Sequence, residues 1–394
     1  MAGSWKRVPL AEIAEFTSKP RELRLADYKA IPFVPMELIP SDKIAIDGFL
    51  MKDPSVISSG TFFKEGDILL PKITPSFENG KQAIAKDLPL PFGLATTEVI
   101  PLREKANISD KLFLFYFLLK GDVRQSLASK MEGTTGRQRL NTEALKTLPV
   151  PLPPLPEQRA IARVLRAVQE VMQALRRELE LERERKAALM HHLFRYGTRG
   201  EPTKQTEIGE IPQSWKVVRL RDIVTLQRGV DLPIQRRSPG TIPVVGSNGI
   251  VGWHNQALSD EPVPGITIGR SGSVGSLCYL EQPYWPLNTV LYVSDFHGND
   301  PQFIYYWLHL FGFEKYSQGV SVPTLNRNSV YPILFPLPPL EEQLQIAQIM
   351  AVSDLKITAL EQELALYQEL FRALLEELMS GRLSVQPLLE QEPA

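Results

Sequence analysis

Two long stretches of the chain carry apolar residues at intervals of three and four. The first, Glu157–Tyr196, contains no glycine or proline, and the second spans about Glu341–Ser380. This spacing places apolar side chains along one side of an α-helix, as in the seam of a coiled coil. At 1.5 Å per residue, each stretch would form a rod of about 60 Å. The pattern therefore predicts two long helices, which end at Gly197 and Gly381.

The apolar stripes of these helices are predicted to pack on each other. The stripes consist of Ile161, Val164, Val168, Val171, Leu175 and Leu179 in the first helix and Ile346, Ile349, Leu360, Leu364, Tyr367, Leu370, Leu374 and Leu378 in the second. The positions expected at the centre of the contact are Ile161, Val168, Leu175, Leu179, Ile346, Leu360, Tyr367 and Leu374.

The charges on the two helices differ in sign. Over Glu157–Arg195, nine Arg/Lys against six acids give the first a balance of +3, and over Glu341–Arg382, three against eight give the second −5. Opposite balances favour pairing of the two helices with each other over self-pairing between molecules. Each helix begins where its globule ends, and the expected arrangement of the pair is antiparallel. The alternative is that both charged faces are only solvated, since single surface ion pairs contribute little.

Shorter patterns precede each long helix. Alternating or β-branched runs predict strands at Gly66–Pro71, Thr96–Pro101, Gly265–Gly269 and Thr289–Val293. A helical stretch is predicted at about Asp110–Ala128. Each long helix is thus preceded by a globule of mixed secondary structure.

The chain contains an internal repeat. PLPPLPEQRAIARVL begins at Pro151 and PLPPLEEQLQIAQIM begins at Pro336, an offset of 185. WKRVPLAEIAEF begins at Trp5 and WKVVRLRDIVTL begins at Trp215, an offset of 210. A duplication with a shortened second globule accounts for both offsets.

The repeat divides the chain into five segments and predicts the α+β class. These are a first globule (1–150), a first spacer helix with its proline-rich entry (151–200), a linker and second globule (201–335), a second spacer helix (336–385) and a flexible tail (386–394). The expected architecture is two mixed α/β globules separated by two long antiparallel coiled-coil helices, with a pseudo-two-fold internal repeat.

Composition excludes several classes of protein. The 394 residues are 43% hydrophobic and 23% charged, which is typical of a globular protein. No apolar run approaches the roughly 20 residues of a membrane span, and no secretory signal is visible, so a cytoplasmic location is expected. One cysteine excludes internal disulfides and thiolate metal cages. The net charge of −1 argues against coating nucleic acid by bulk charge but leaves local basic clefts open.

Motifs for catalysis are absent from the sequence. It contains no P-loop, no H-E-x-x-H, no C-x-x-C, no G-x-S-x-G and no Asn/Asp-Pro-Pro-aromatic tetrad of amino-methyltransferases. We therefore expect no catalytic centre and no metal site. Three function classes stay open on the residues alone: a DNA-binding specificity protein, a protein-binding scaffold, and an enzyme with a divergent site inside a globule.

The repeated motifs resemble those of the specificity subunit of type I restriction–modification systems. The resemblance rests on W-K-x-V-x-L, on P-L-P-P-L-x-E-Q leading into a long helix, on EIGEIPQSW before the second copy, and on L-M-S-G-R-L at Leu378–Leu383. It implies that each globule is a target-recognition domain for half of a split site in double-stranded DNA. It also implies that two methyltransferase subunits dock on the helices and that motor–nuclease subunits attach through them. S-adenosylmethionine, ATP and Mg²⁺ would then be bound by those partners.

Candidates for DNA contact are polar and basic residues in matched loops, because loops on rigid scaffolds carry recognition. The first globule supplies Lys72, Thr74, Ser76, Asn79, Lys81, Thr134, Thr135, Arg137, Gln138 and Arg139. The second supplies Ser247, Asn248, His254, Asn255, Arg270, Ser271, Ser273, Ser321, Thr324, Asn326 and Arg327. Leu140–Asn141 and Leu325–Asn326 recur in both copies and are interpreted mainly as framework. Exposed candidates for the methyltransferase interface are Arg159, Arg163, Gln345 and Gln348.

Overall fold

The structure, a computed structural model, describes residues 5–134, 136–258, 263–316 and 324–390. It divides into two compact units. Unit 1 comprises Met1–Arg177 with Gln362–Ala394, and unit 2 comprises Glu178–Glu361. Each long helix therefore contributes one part to each unit.

The first globule contains twelve strands and four short α-helices among the described residues. The strands are β1 Lys6–Pro9, β2 Ala14–Phe16, β3 Ile31–Val34, β4 Leu50–Lys52, β5 Thr61–Lys64, β6 Ile68–Pro71, β7 Ala83–Ile84, β8 Phe92–Ala95, β9 Val99–Glu104, β10 Met131–Thr134, β11 Arg137–Leu140 and β12 Pro149–Leu152. The helices are α1 Leu10–Ile13, α2 Lys111–Phe117, α3 Gly121–Ala128 and α4 Thr142–Lys146, and the long helix α5 Leu155–Tyr196 follows.

The second globule repeats this plan with eleven strands in its described part. The strands are β13 Thr203–Thr206, β14 Gly209–Pro212, β15 Lys216–Arg219, β16 Thr225–Arg228, β17 Ile242–Gly246, β18 Gly249–His254, β19 Gly265–Gly269, β20 Leu277–Leu280, β21 Trp285–Pro286, β22 Val290–Asp295 and β23 Leu334–Leu337. The helices are α6 Pro301–Phe311 and α7 Arg327–Val330, followed by the long helix α8 Leu340–Met379 and by α9 Gln386–Leu389.

The sheet topology confirms the internal repeat. Sheet β2-β9-β6-β7 of the first globule corresponds to β16-β22-β19-β20 of the second, and β4-β3-β8-β5 corresponds to β18-β17-β21. In both globules the strand after the repeated tryptophan pairs antiparallel with the proline-rich strand before the long helix, as β1 with β12 and β15 with β23. The proline run is thus an edge strand, a position where missing N–H donors are tolerated.

Helices α5 and α8 pack antiparallel within each unit. In unit 1 the start of α5, with Leu165, shares a core with Leu378 near the end of α8. In unit 2 the end of α5, with Leu193, shares a core with Met350 near the start of α8. The predicted antiparallel pairing is therefore confirmed from both ends.

The seam positions behave less uniformly than the heptad pattern predicts. The eight positions expected at the centre are buried or half-buried, but Ile161 and Ile346 belong to the cores of the globules. Val171, Ile349 and Leu370 are 38%, 37% and 45% exposed, so their place in the stripe was wrong. A heptad pattern marks one side of a helix but does not reveal where globular elements replace the partner helix.

Ion pairs join the two helices within unit 2. Arg183 of α5 bonds Glu361 of α8 at 2.5 Å, and Lys186 pairs with Asp354. The opposite charge balances of the helices are therefore used in direct contacts. Lys356 of α8 pairs in the reverse sense, with two acids of α5.

A buried glutamine joins each long helix to its globule. The side-chain carbonyl of Gln158 accepts the backbone N–H of Asp110 at 2.8 Å, and its amide donates to the carbonyl of Pro153 at 2.9 Å. Gln343 repeats this with Asp300 at 2.9 Å. Both aspartates are the N-caps of globular helices, α2 and α6. The glutamine of P-L-P-P-L-x-E-Q thus fixes the long helix against a capped helix of the globule.

Glycines end both long helices as predicted, with left-handed backbone angles. Gly197 has φ +70°, and a Cβ there would lie 3.2 Å from Trp215 and overlap Glu342. Gly381 has φ +73°, and a Cβ there would lie 3.3 Å from the ring of Trp5. The tryptophans at the start of each repeat, Trp5 and Trp215, therefore pack against the glycines that follow the long helices.

The segment after α8 differs from its expected flexibility. Helix α9 occupies Gln386–Leu389, and Leu389 packs against the core of the first globule. Val385 is buried in the same core. The apolar side chains at the start of the tail have a surface to bury against, which the sequence pattern did not reveal.

Candidate nucleic-acid interface

Two loops of the first globule that are distant in sequence meet in one place. The backbone N–H of Leu140, at the end of hairpin β10–β11, donates to the carbonyl of Lys72 at 2.7 Å. Thr74 donates its N–H to the carbonyl of Gln138 at 3.0 Å. Lys72 in turn donates its backbone N–H to the carbonyl of Glu98 at 2.8 Å. Main-chain bonds therefore hold the 72–81 loop, the hairpin and the start of β9 together.

The second globule contains the same set of main-chain bonds between loops, and we call this set the joint of each globule. Leu325 donates its N–H to the carbonyl of Arg270 at 2.8 Å, and Arg270 donates its backbone N–H to the carbonyl of Thr289 at 2.8 Å. Ser271 pairs with Thr324 where Ile73 pairs with Arg139 in the first globule. Because these two main-chain bonds and the bridge recur in both globules, Lys72 corresponds to Arg270 and Glu98 to Thr289.

A third loop joins this cluster in the second globule. The hydroxyl of Ser273 bonds the side chain of Asn248, and the hydroxyl of Ser276 bonds the carbonyl of Ser247. The tip of hairpin β17–β18 therefore lies beside the Arg270 loop. Six predicted candidates are collected here: Ser247, Asn248, Arg270, Ser271, Ser273 and Thr324.

The candidates in the first globule differ in the solvent exposure of their side chains. Asn79, Thr134, Arg137 and Arg139 are exposed. Thr74, Ser76, Lys72, Gln138 and Lys81 are half-buried. Lys81 donates to the carbonyl of Met36 at 3.1 Å, which holds its ammonium away from the hairpin. Thr135 and Ser321 lie outside the described residues.

Four second-globule candidates have other roles or positions. His254 is buried, and its Nδ1 accepts the N–H of Ser238 at 3.0 Å, so its prediction as a DNA contact was wrong. Asn255 follows the far end of β18, roughly 20 Å along the strand from the hairpin tip. Arg327 donates to the carbonyl of Leu226 at 3.0 Å. Asn326 caps α7 by accepting an N–H at 3.0 Å.

The cap at Asn326 has a counterpart in the first globule. Its side-chain oxygen accepts the N–H of Asn328 at 3.0 Å, and that of Asn141 accepts the N–H of Glu143 at 2.8 Å. A side-chain oxygen at an N-cap satisfies a helix donor that would otherwise lack a partner. The recurring asparagines thus act as framework, as interpreted from the sequence.

The electrostatics of the two clusters differ. Arg139 forms a bidentate ion pair with Glu98, Nη2 to Oε1 at 2.6 Å and Nε to Oε2 at 3.1 Å. The hydrogen bond from Arg139 lowers the pKa of Glu98. In the second cluster burial lowers the pKa of Arg270, and the nearby charge of Arg228 lowers it further. One cluster therefore contains an internally neutralised arginine and the other two neighbouring cations.

Glu98 and Arg228 were not among the sequence candidates. Glu98 stands in TTEVIP, which indicated only a strand, and Arg228 ends β16. Neither adjoins a candidate loop in the sequence. The order of strands in the sheets brings both to the clusters, and the local pattern contains no signal for that order.

A buried arginine fixes the base of the 72–81 loop. Arg124 donates to the carbonyl of Phe77 at 2.7 Å, to the side-chain oxygen of Gln82 at 2.5 Å and to the carbonyl of Leu118 at 2.6 Å. Its guanidinium also lies 4.5 Å from the ring centre of Phe77. Since these contacts join α2, α3 and the loop, the loop rests on a rigid support.

The long helices expose both polar and apolar side chains. Arg159, Arg163, Gln345 and Gln348 are exposed as expected, and Gln345 accepts the hydroxyl of Thr198 at 2.8 Å. Within unit 2, α8 also exposes a set of apolar side chains that were not predicted from the sequence. We call it the outer α8 stripe: Leu344, Val352 and Leu355, which are 52%, 59% and 71% exposed.

The described part of the chain contains no group of three or more His, Cys, Asp or Glu side chains that could hold a metal ion. No described helix is both long and apolar enough to cross a bilayer.

Comparisons with known proteins bear on these features. Residues 3–183 and 212–369 match a family model described as "Type I restriction modification DNA specificity domain". The Type I restriction enzyme MjaVIII specificity subunit of Methanocaldococcus jannaschii is 24% identical over 372 residues, covering 87% of this chain and 85% of that protein. The EcoEI specificity subunit of Escherichia coli is 38% identical over 162 residues, 40% of this chain and 26% of that protein. The crystal structure of a type I restriction–modification S subunit from M. genitalium shares the fold, with a TM-score of 0.63 at 18% identity over 95% of this chain and 96% of that one.

Proposed function

Because the chain belongs to the type I restriction modification DNA specificity family, we propose that each of its two globules reads one half of a split site in double-stranded DNA. The observation that carries this proposal is the repeated joint. In each globule, main-chain bonds at Lys72 and at Arg270 gather polar loops around one point. Two such points on one chain fit two half-sites.

The types of residue in the clusters fit DNA as their ligand. Arg, Lys, Ser, Thr and Asn are the side chains that contact phosphates and base edges. They stand on loops fixed by main-chain bonds and, in the first globule, by Arg124, so their positions are set before DNA binds. Binding then loses less conformational freedom than it would with mobile loops.

We further propose that methyltransferase subunits dock on the paired helices, two per chain, and that motor–nuclease subunits attach through them. Support comes from the outer α8 stripe, since clustered exposed apolar side chains mark interaction surfaces. Arg159, Arg163, Gln345 and Gln348 would lie at the polar margin of such contacts. S-adenosylmethionine, ATP and Mg²⁺ would be bound by the partner subunits, and the assembly would act in the cytoplasm.

The experiment that tests this function is methylation sequencing of host DNA with and without the gene. We expect a split methylated motif that disappears when the gene is deleted. Replacing residues 1–150 with the first globule of a relative should then change one half of the motif and leave the other unchanged. If the complex assembles but no motif depends on the gene, the DNA-reading function is wrong and a scaffold role takes its place.

A further inference from the structure

The bidentate pair in the first globule leaves one edge of its arginine available. A guanidinium has five N–H donors. Glu98 accepts from Nε and from one position on Nη2, and the side chain of Arg139 remains 63% exposed. The donors of Nη1 and the second donor of Nη2 form the other edge. Two parallel donors on an exposed edge match two acceptors that lie side by side.

Guanine presents such acceptors in the major groove. Its O6 and N7 are adjacent there, and bidentate contact from arginine is the commonest specific contact to a base. Resting on the proposed function, we infer that Glu98 is a positioning residue that orients Arg139 to read a guanine in the half-site of the first globule. Glu98 itself would touch the arginine and not the base.

The carboxylate changes what the arginine prefers to bind. A free guanidinium is drawn to any phosphate by its charge. Glu98 offsets that charge and restrains the plane of the guanidinium. Attraction to the DNA phosphates therefore weakens, and the choice of ligand depends more on hydrogen-bond geometry. The pair therefore favours a base edge over phosphate.

The second globule supplies the contrast within the same chain. Thr289 and Thr324 stand at the positions of Glu98 and Arg139. Of the acidic side chains that the structure describes, none forms an ion pair with Arg270 or its neighbour Arg228. The two joints share a backbone but differ in this pair, so the arginine–guanine contact belongs to the first half-site.

The test uses the assembled methyltransferase complex and duplexes carrying its methylation motif. Each guanine of the first half-site is replaced in turn by 7-deazaguanine, which lacks the N7 acceptor. Wild-type protein should lose about tenfold in affinity at one position. Glu98→Gln should reduce that loss to about twofold, while binding to unrelated DNA stays equal or rises because one negative charge is removed. A merely structural role would lower both kinds of binding.

Two further variants keep the test decisive. Glu132→Gln removes a charge from the same hairpin, where Glu132 is the cross-strand partner of Arg139, and should keep the tenfold sensitivity. Arg139→Lys keeps the charge but cannot make two parallel bonds, and should lose the sensitivity even if Glu98→Gln folds poorly. The inference is overturned if no guanine is sensitive or if Arg139→Lys keeps the full effect. In those cases the split motif would still depend on the gene, which separates this failure from failure of the proposed function.

Discussion

Gln158 accepts the backbone N–H of Asp110 at 2.8 Å and thereby connects the first turn of a long helix to the N-cap of a globular helix. Its amide also donates to the carbonyls of Pro153 and Ile108. The side chain is fully buried, so water cannot replace these bonds. The repeated glutamine of the family motif therefore holds the long helix to the globule and is not a residue that contacts a partner protein.

Replacing Gln158 with leucine should lower the free energy of unfolding by about 2 kcal/mol, because buried polar groups would be left without partners. Gln343→Leu should cost a similar amount, because Gln343 makes matching bonds to Asp300 and Pro338 and a third bond to the side chain of Asn299. Gln348→Leu, on the exposed side of α8, should change stability by less than about 0.5 kcal/mol. Urea unfolding of the full chain measures all three variants. Equal losses of unfolding free energy for Gln158→Leu and Gln348→Leu would contradict the structural role of Gln158.

Gly197→Ala should destabilise the chain more than Gly200→Ala. Both glycines have left-handed backbone angles, which cost about 1 kcal/mol for alanine. At Gly197 the new Cβ would also overlap Glu342 and press on Trp215, whereas nothing lies within 4 Å at Gly200. We expect Gly197→Ala to cost at least twice as much as its neighbour in thermal unfolding. Similar melting temperatures for both variants would show that the helix end can shift without penalty.

Tyr306 should make the stability of unit 2 sensitive to alkaline pH. Burial raises its pKa, and its hydrogen bond to Asp354 at 2.6 Å raises it further. The unfolded tyrosine ionises near its usual pKa of 10.0 while the folded one stays protonated, so its contribution is complete below pH 10 and falls above it. Tyr306→Phe should cost about 1 kcal/mol at pH 7 and lose less stability than wild type between pH 10 and 11. Tyr196→Phe, at an exposed position, is the control, and parallel pH curves for wild type and Tyr306→Phe would contradict the assignment.

Repetition and periodicity predicted much of the architecture. The helix over Glu157–Tyr196 appears as Leu155–Tyr196, and the strand at Gly265–Gly269 has the bounds expected. These features depend on local pattern, which the sequence contains directly. The correspondence between the loop at Lys72 and the loop at Arg270 was also predicted from the sequence, because the repeat aligns them.

Features that depend on tertiary neighbours could not be predicted in this way. The run GSNGIVGWHN at 246–255, which supplied the loop candidates Ser247, Asn248, His254 and Asn255, contains β18, and His254 at the end of that strand is buried. Glu98 reaches Arg139 only because β9 lies beside β6 in the sheet. Val171 and Leu370 fit the spacing of the seam and are nevertheless exposed. Spacing identifies a side of an element, and the fold decides what covers it.

The outer α8 stripe provides the last test, which concerns assembly. If methyltransferase subunits dock there, Leu355→Glu should prevent a stable complex on co-expression, because a carboxylate would be buried in an apolar contact. The variant should fold normally, since Leu355 is 71% exposed in the free chain. Ile234→Glu is the matched control, because that side chain is 75% exposed on the second globule, and it should assemble like wild type. Size-exclusion chromatography of the co-expressed subunits measures the outcome. An intact complex with Leu355→Glu would move the docking surface away from the stripe, toward the exposed polar positions at Arg159 and Gln348.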